Sequence, residues 1–128
     1  MTARHVVEKV FPARSGFVAS VRSWVVDRCA EAGVEPDVGE VVRLLASEVV
    51  TNAVRHTSSR LVTVRLTVRT REVEVAVGDE DPAPPRPRPP DVGDLGGRGL
   101  MLVAAMAKSW GNRPTPRGKI VWFQVARN

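Results

Sequence analysis

LVTVRLTVRTREVEVAV, residues 61–77, decides the architecture of the chain. Val62, Val64, Leu66 and Val68 share one face of an extended backbone and Thr63, Arg65, Thr67 and Arg69 the other, the pattern of a strand buried on one side only. Thr70 and Arg71 make a tight connection. Beyond it Val73, Val75 and Val77 alternate with Glu72, Glu74 and Ala76, so the two runs form an antiparallel hairpin whose Arg and Glu side chains can pair across its open face. A sheet with one apolar and one wet face is covered by helices on one side. The expected class is therefore α+β: a two-layer sandwich with a mixed, mostly antiparallel sheet under about three helices.

Upstream, Val6 to Phe11 is rich in β-branched and aromatic residues and Pro12 closes the run, which reads as an edge strand. Ser15 is placed to cap a first helix carrying Val18, Val21, Trp24, Val25 and Cys29 at helical spacing, with Gly33 as its left-handed stop. Asp37 and Glu40 form an acidic variant of the capping box, opening a second helix through Val41, Val42, Leu45, Val49 and Ala53 that ends near His56. Downstream of the hairpin the periodicity collapses from about residue 79 to 99. Six of the ten prolines fall in positions 82–90 and four glycines in 91–99, which predicts a long irregular loop. Leu100, Val103, Ala104 and Ala107 then describe a short helix. Strands at Ser109 to Asn112 and Ile120 to Ala126 follow, joined by Pro114-Thr115-Pro116.

The whole of residues 1–128 reads as one domain, long enough to bury a core without disulfides or a structural metal. Cys29 is the only cysteine, no Cys or His cluster has zinc spacing, and neither a secretory leader nor a membrane span is present, all of which points to a cytoplasmic protein. The net charge of +5 raises the question of nucleic acid. It is diffuse, however: residues 1–64 hold 8 basic and 7 acidic side chains, residues 65–128 hold 11 and 7, and there is no tyrosine to stack bases. The composition disfavours nucleic-acid binding, and a DNA-associated basic domain is the weakest of the three functional readings.

Three features carry chemistry. Glu48 and Asn52 are four residues apart, on one helix face among Leu45, Val49, Val50 and Ala53, where a magnesium ion or a phosphate would satisfy both groups; a solvated helix edge is the alternative. Asp79 ends the second hairpin strand, where an acceptor can face a ligand at the sheet edge or merely start a turn. Gly96-Gly97-Arg98-Gly99-Leu100 precedes a helix, so backbone N–H groups and the helix dipole can receive a phosphate beside Arg98, or the segment is a hinge.

Their order, with the strings Ser47-Glu48-Val49-Val50-Thr51-Asn52-Ala53-Val54-Arg55-His56, Gly97-Arg98-Gly99-Leu100-Met101-Leu102-Val103, Trp110-Gly111, Pro114-Thr115-Pro116 and Gly118-Lys119-Ile120-Val121-Trp122, resembles the Bergerat (GHKL) ATP-binding domain of gyrase, histidine kinases and mismatch-repair ATPases. Within that superfamily residues 5–126 look like the small bacterial anti-sigma-factor serine/threonine kinases and their stand-alone ATP-binding relatives. The resemblance implies ATP and Mg2+ as cofactors, Asn52 as the magnesium ligand, Glu48 as the base and Asp79 as acceptor for the adenine amino group. Gly97 and Gly99 would let the ATP-lid backbone approach the phosphates, and the set extends through Arg98 and Leu100. It implies phosphorylation of a serine or threonine on an anti-anti-sigma-like partner, and allows a homodimer. The alternative is a catalytically silent module that sequesters a sigma factor or another regulator. Two positions depart from the pattern. Asp81, followed by Pro82, stands where a glycine is usual, and Ile120 where a threonine supports the adenine-reading aspartate, so both are expected to weaken nucleotide binding.

Overall fold

The computed structural model describes residues 5–14, 16–55, 60–79, 95–116 and 118–128, with backbone only at 54–55 and 95–100. Five strands form one sheet, β1 (His5–Pro12), β2 (Leu61–Val68), β3 (Glu72–Asp79), β4 (Ser109–Pro114) and β5 (Lys119–Ala126), in the order β1-β2-β3-β5-β4. All pairings are antiparallel, the limiting case of the mostly antiparallel sheet expected. Three helices, α1 (Phe17–Glu31), α2 (Pro36–Arg55) and α3 (Leu95–Met106), complete an α+β sandwich. None of them is long and apolar enough to cross a membrane.

Alternation in the strands decides which face is covered. Val62, Val64, Leu66, Val73, Val75, Val77, Phe123 and Val125 are all buried against the helices, where they meet Val21, Trp24 and Val25 of α1 and Val42, Leu45 and Val49 of α2. Burying one such side chain contributes about 1.5–3 kcal/mol. Phe11 and Trp24 meet edge to face at 5.8 Å and bind edge strand β1 to α1. The opposite face is less polar than the alternation implies. Thr67 is buried at 2% exposure, and Ile120 and Trp122 are half-buried. A Cβ on Gly111 would stand 2.9 Å from Trp122 Cζ2, so the indole lies over the glycine opposite it in β4.

Helix ends differ from the sequence reading in two places. The N-cap of α1 is Gly16, at φ 84° and without a side-chain cap bond, rather than Ser15, which lies outside the described residues. The capping box of Asp37 and Glu40 does not form, because α2 already starts at Pro36: Glu40 pairs with Arg43 at 3.1 Å, and Asp37 lies in the first turn and accepts from Asn128 Nδ2 at 3.3 Å. Proline suits that first turn, where an amide would lack a partner anyway. The stop of α1 is as expected. Gly33 at φ 76° donates to the Ala30 carbonyl, and Val34 to that of Cys29 at 2.9 Å, a Schellman closure. The described part of α2 runs to Arg55, and His56 lies outside the described residues.

Candidate functional site

The helices lie side by side with α2 in the middle, packed on α1 and α3 and resting on β3 and β5. At about 100° per residue the buried stripe of α2 runs through Val38, Val42, Leu45, Val49 and Ala53. Ser47 and Thr51 fall toward α1: Arg22 Nε donates to Ser47 Oγ at 2.9 Å, and Thr51 Oγ1 to the Ser47 carbonyl at 2.7 Å. Glu48 and Asn52 fall on the other edge of the stripe, the one toward α3, and both are half-buried. A carboxylate and a carboxamide one turn apart suit a hard cation that takes a few protein oxygens and completes its shell with phosphate and water. Among the described residues no three His, Cys, Asp or Glu side chains cluster.

Two tethers set the direction of these helices. Arg127 Nη1 donates to the Arg69 carbonyl at 2.8 Å, Nη2 to the Gly33 carbonyl at 3.1 Å, and the guanidinium bridges to Glu35 at 3.1 and 3.3 Å. These bonds fix the start of α2 beside the β2–β3 turn. From there α2 rests on β3 and β5, with Glu48 and Asn52 in its later turns, away from the tethered start. Beyond the carboxyl end of α3, the Lys108 amide donates to the Gln124 carbonyl at 2.7 Å and its ammonium meets Glu72 at 3.1 Å, near the start of β3. The sequence-predicted groups thus stand in the later turns of α2 (Glu48, Asn52), at the last position of β3 (Asp79) and at the amino end of α3 (Gly97 to Leu100).

Asp79 shares that face with Val77, and its side chain is 3% exposed. Opposite it in β5 stands Lys119, 13% exposed, with Nζ 3.3 Å from Asp79 Oδ2. Lys119 is the functional candidate that sequence reading passed over. Its position in phase with Val121, Phe123 and Val125 was the available signal. The same alternation corrects the expectation for Ile120. It pairs with Gly78 and its Cγ1 would be 3.6 Å from a Cβ there, on the sheet face away from Asp79, so the residue that supports the aspartate is Lys119.

The glycine-rich segment is also placed differently. Since α3 begins at Leu95, Gly97, Arg98, Gly99 and Leu100 form its first turns instead of preceding it, and only their backbone is described. The loop expected at 79–99, with Asp81, otherwise lies outside the described residues. Cys29 packs in the core, and burial pushes its thiol up to about 11.

Comparison with known proteins agrees with this fold. No curated protein matches the chain. The histidine kinase domain of a blue-light activated histidine kinase from Erythrobacter litoralis EL346 superposes with a TM-score of 0.55 at 23% identity, over 85% of this chain and 58% of that one. A longer structure of the kinase gives a TM-score of 0.57 at 25% identity, over 86% of this chain and 39% of that one. The chain thus spans less than two thirds of either. A family model for the histidine kinase-like ATPase domain matches residues 11–125, and the chain belongs to that family, in which ATP binding, generally with Mg2+, is implied.

Proposed function

We propose that this protein is an ATP- and magnesium-binding regulator of the anti-sigma-factor kinase type, transferring the γ-phosphoryl group to a serine or threonine of a small anti-anti-sigma-like partner. One observation supports the reading: Glu48 and Asn52 lie half-buried one turn apart in the later turns of α2, and Asp79 ends β3 on the sheet face that the helices cover. Asn52 would hold the metal through its side-chain oxygen, and Asp79 would accept from the base. The amino end of α3, where the N–H groups of Leu95, Gly96 and Gly97 have no partner inside the helix, would turn toward phosphate, with Gly97 and Gly99 letting the backbone come close and Arg98 between them in sequence. Magnesium, when bound, neutralises charge between the phosphates. Glu48, one turn before Asn52, would take the proton of the attacking hydroxyl.

The test has two stages. Millimolar ATP with magnesium should raise the melting temperature, and a melting temperature indifferent to nucleotide would end the ATP reading. Labelled γ-phosphate should then move to a co-purified partner. Stabilisation without transfer to any partner recovered from the native host would replace the kinase by a binding module.

A further inference from the structure

Asp79 and Lys119 present an acceptor and a donor side by side. The ionised carboxylate only accepts hydrogen bonds, whereas the ammonium only donates and has three N–H groups, of which the 3.3 Å contact uses one. Both side chains lie on the helix-covered face, in phase with the core residues Val77 and Phe123, and both are largely shielded from water. A buried ion pair is a weak device for stability, because desolvating the two charges offsets most of their attraction. Its position at the site end of β3 and β5 calls for a ligand that uses both signs.

Purine edges differ in that respect. A 6-aminopurine offers a donor at position 6 and an acceptor at N1, which a lone aspartate reads through the amino group. A 6-oxopurine offers an acceptor at O6 and a donor at N1, and guanine adds a 2-amino donor. Against a lone aspartate O6 would meet negative charge. Against the pair, O6 meets the Lys119 ammonium while N1–H and the 2-amino group meet Asp79. We infer that Lys119 is a base-selectivity residue that, together with Asp79, admits 6-oxopurine nucleoside triphosphates to this site alongside ATP. The inference rests on the reading that Asp79 faces the base.

Equilibrium titration of the full chain in magnesium with ATP, GTP and ITP tests it, in the wild type and in Lys119→Met and Lys119→Arg. The wild type should bind ATP and GTP within about tenfold of each other, with ITP close behind because it keeps O6. Lys119→Met should weaken GTP and ITP about tenfold or more and ATP less than about threefold, while Lys119→Arg, which keeps a donor, retains all three. A wild type that binds ATP but takes GTP and ITP about a hundredfold more weakly overturns the inference and leaves Asp79 as an adenine reader. Equal losses for all three nucleotides in Lys119→Met also overturn it and make the pair a cross-strand tie. Binding of no nucleotide by the wild type overturns the reading of Asp79 itself, and this one with it. Should Lys119→Met fail to fold, judged by its melting curve without ligand, the wild-type ratios and Lys119→Arg decide.

Discussion

The two ends of the sandwich are built on opposite principles. At the end where β3 begins, Arg127 alone joins the α1–α2 turn, the start of α2 and the β2–β3 hairpin, and Asn128 adds a bond to Asp37. The Arg127 and Asn128 side chains there bond to elements distant in sequence. At the end where β3 finishes, a carboxylate and an ammonium are buried together, and in the later turns of α2, away from its tethered start, Glu48 and Asn52 are half-buried on a helix edge with no hydrophobic reason to be there. One end uses its polar groups to hold the fold, and the other holds the groups proposed to meet a ligand. A protein can carry expensive groups at one end only if the other supplies rigidity, so the two ends should fail differently when they are mutated.

The largest separation is expected at the site end. Glu48→Gln should reduce phosphoryl transfer by about 10²-fold or more, the loss typical of a positioned base, while nucleotide affinity stays within a few-fold. Transfer and binding lost together would make Glu48 structural. Arg127→Met should do the reverse. Loss of its bonds to the Gly33 and Arg69 carbonyls removes roughly 2 kcal/mol, or about 6–8 °C in melting temperature, with nucleotide affinity unchanged. Asn52→Ala should leave the unliganded melting temperature within a degree or two and abolish the extra stabilisation that magnesium adds to ATP, out of about 2.7 kcal/mol for ligand at 100 times its dissociation constant. If Arg127→Met weakened nucleotide binding as much as Asn52→Ala does, the division between the ends would be wrong.

Acid separates them as well. The Arg127 hydrogen bonds hold the Glu35 carboxyl below its ordinary range. A depressed folded-state pKa contributes stability above the unfolded carboxylate range, and that contribution disappears as pH falls through the folded value. Between about pH 6 and pH 3 the wild type should therefore lose more melting temperature than Arg127→Met, which has no such pair to lose. Parallel curves would show that Glu35 contributes nothing.

How much of this the sequence reveals follows from where each signal is local. Val62 to Val77 alternate cleanly, and Val42, Leu45 and Val49 recur at helical spacing, so strands, helices and the covered face are legible from period alone. Gly33 is legible because only a left-handed residue fits its position. The caps expected at Ser15 and Asp37 are not the ones used, because short polar residues compete for that role: Gly16 caps α1, and α2 already starts at Pro36, with the Glu35 carbonyl accepting from the Gly39 amide. Glu48, Asn52 and Asp79 are visible as polar groups in apolar runs. Where they stand in three dimensions is not, since Arg127 and Lys108 anchor α2 and α3 from outside those helices. Lys119 was missed for a similar reason. A lysine at the start of a strand reads as solvent-exposed until the register pairs it with Asp79.

The smallest expected effect is the one the family pattern would make large. If Ile120 stood in place of a threonine that supports Asp79, then Ile120→Thr should tighten ATP binding. The register puts Ile120 opposite Gly78 on the open face, one residue out of phase with Asp79, and a hydroxyl there would point away from the carboxylate. Ile120→Thr should therefore change nucleotide affinity less than about twofold, and lower stability by about 1 kcal/mol through lost apolar contact beside Trp122 and Gly78. Lys119, its neighbour in sequence, should alter selectivity strongly. Calorimetric titration of both variants under one set of conditions measures the contrast. A threonine at position 120 that tightened ATP severalfold would mean that β5 is shifted by one residue against β3 when nucleotide binds, because only such a slip would bring position 120 to the covered face.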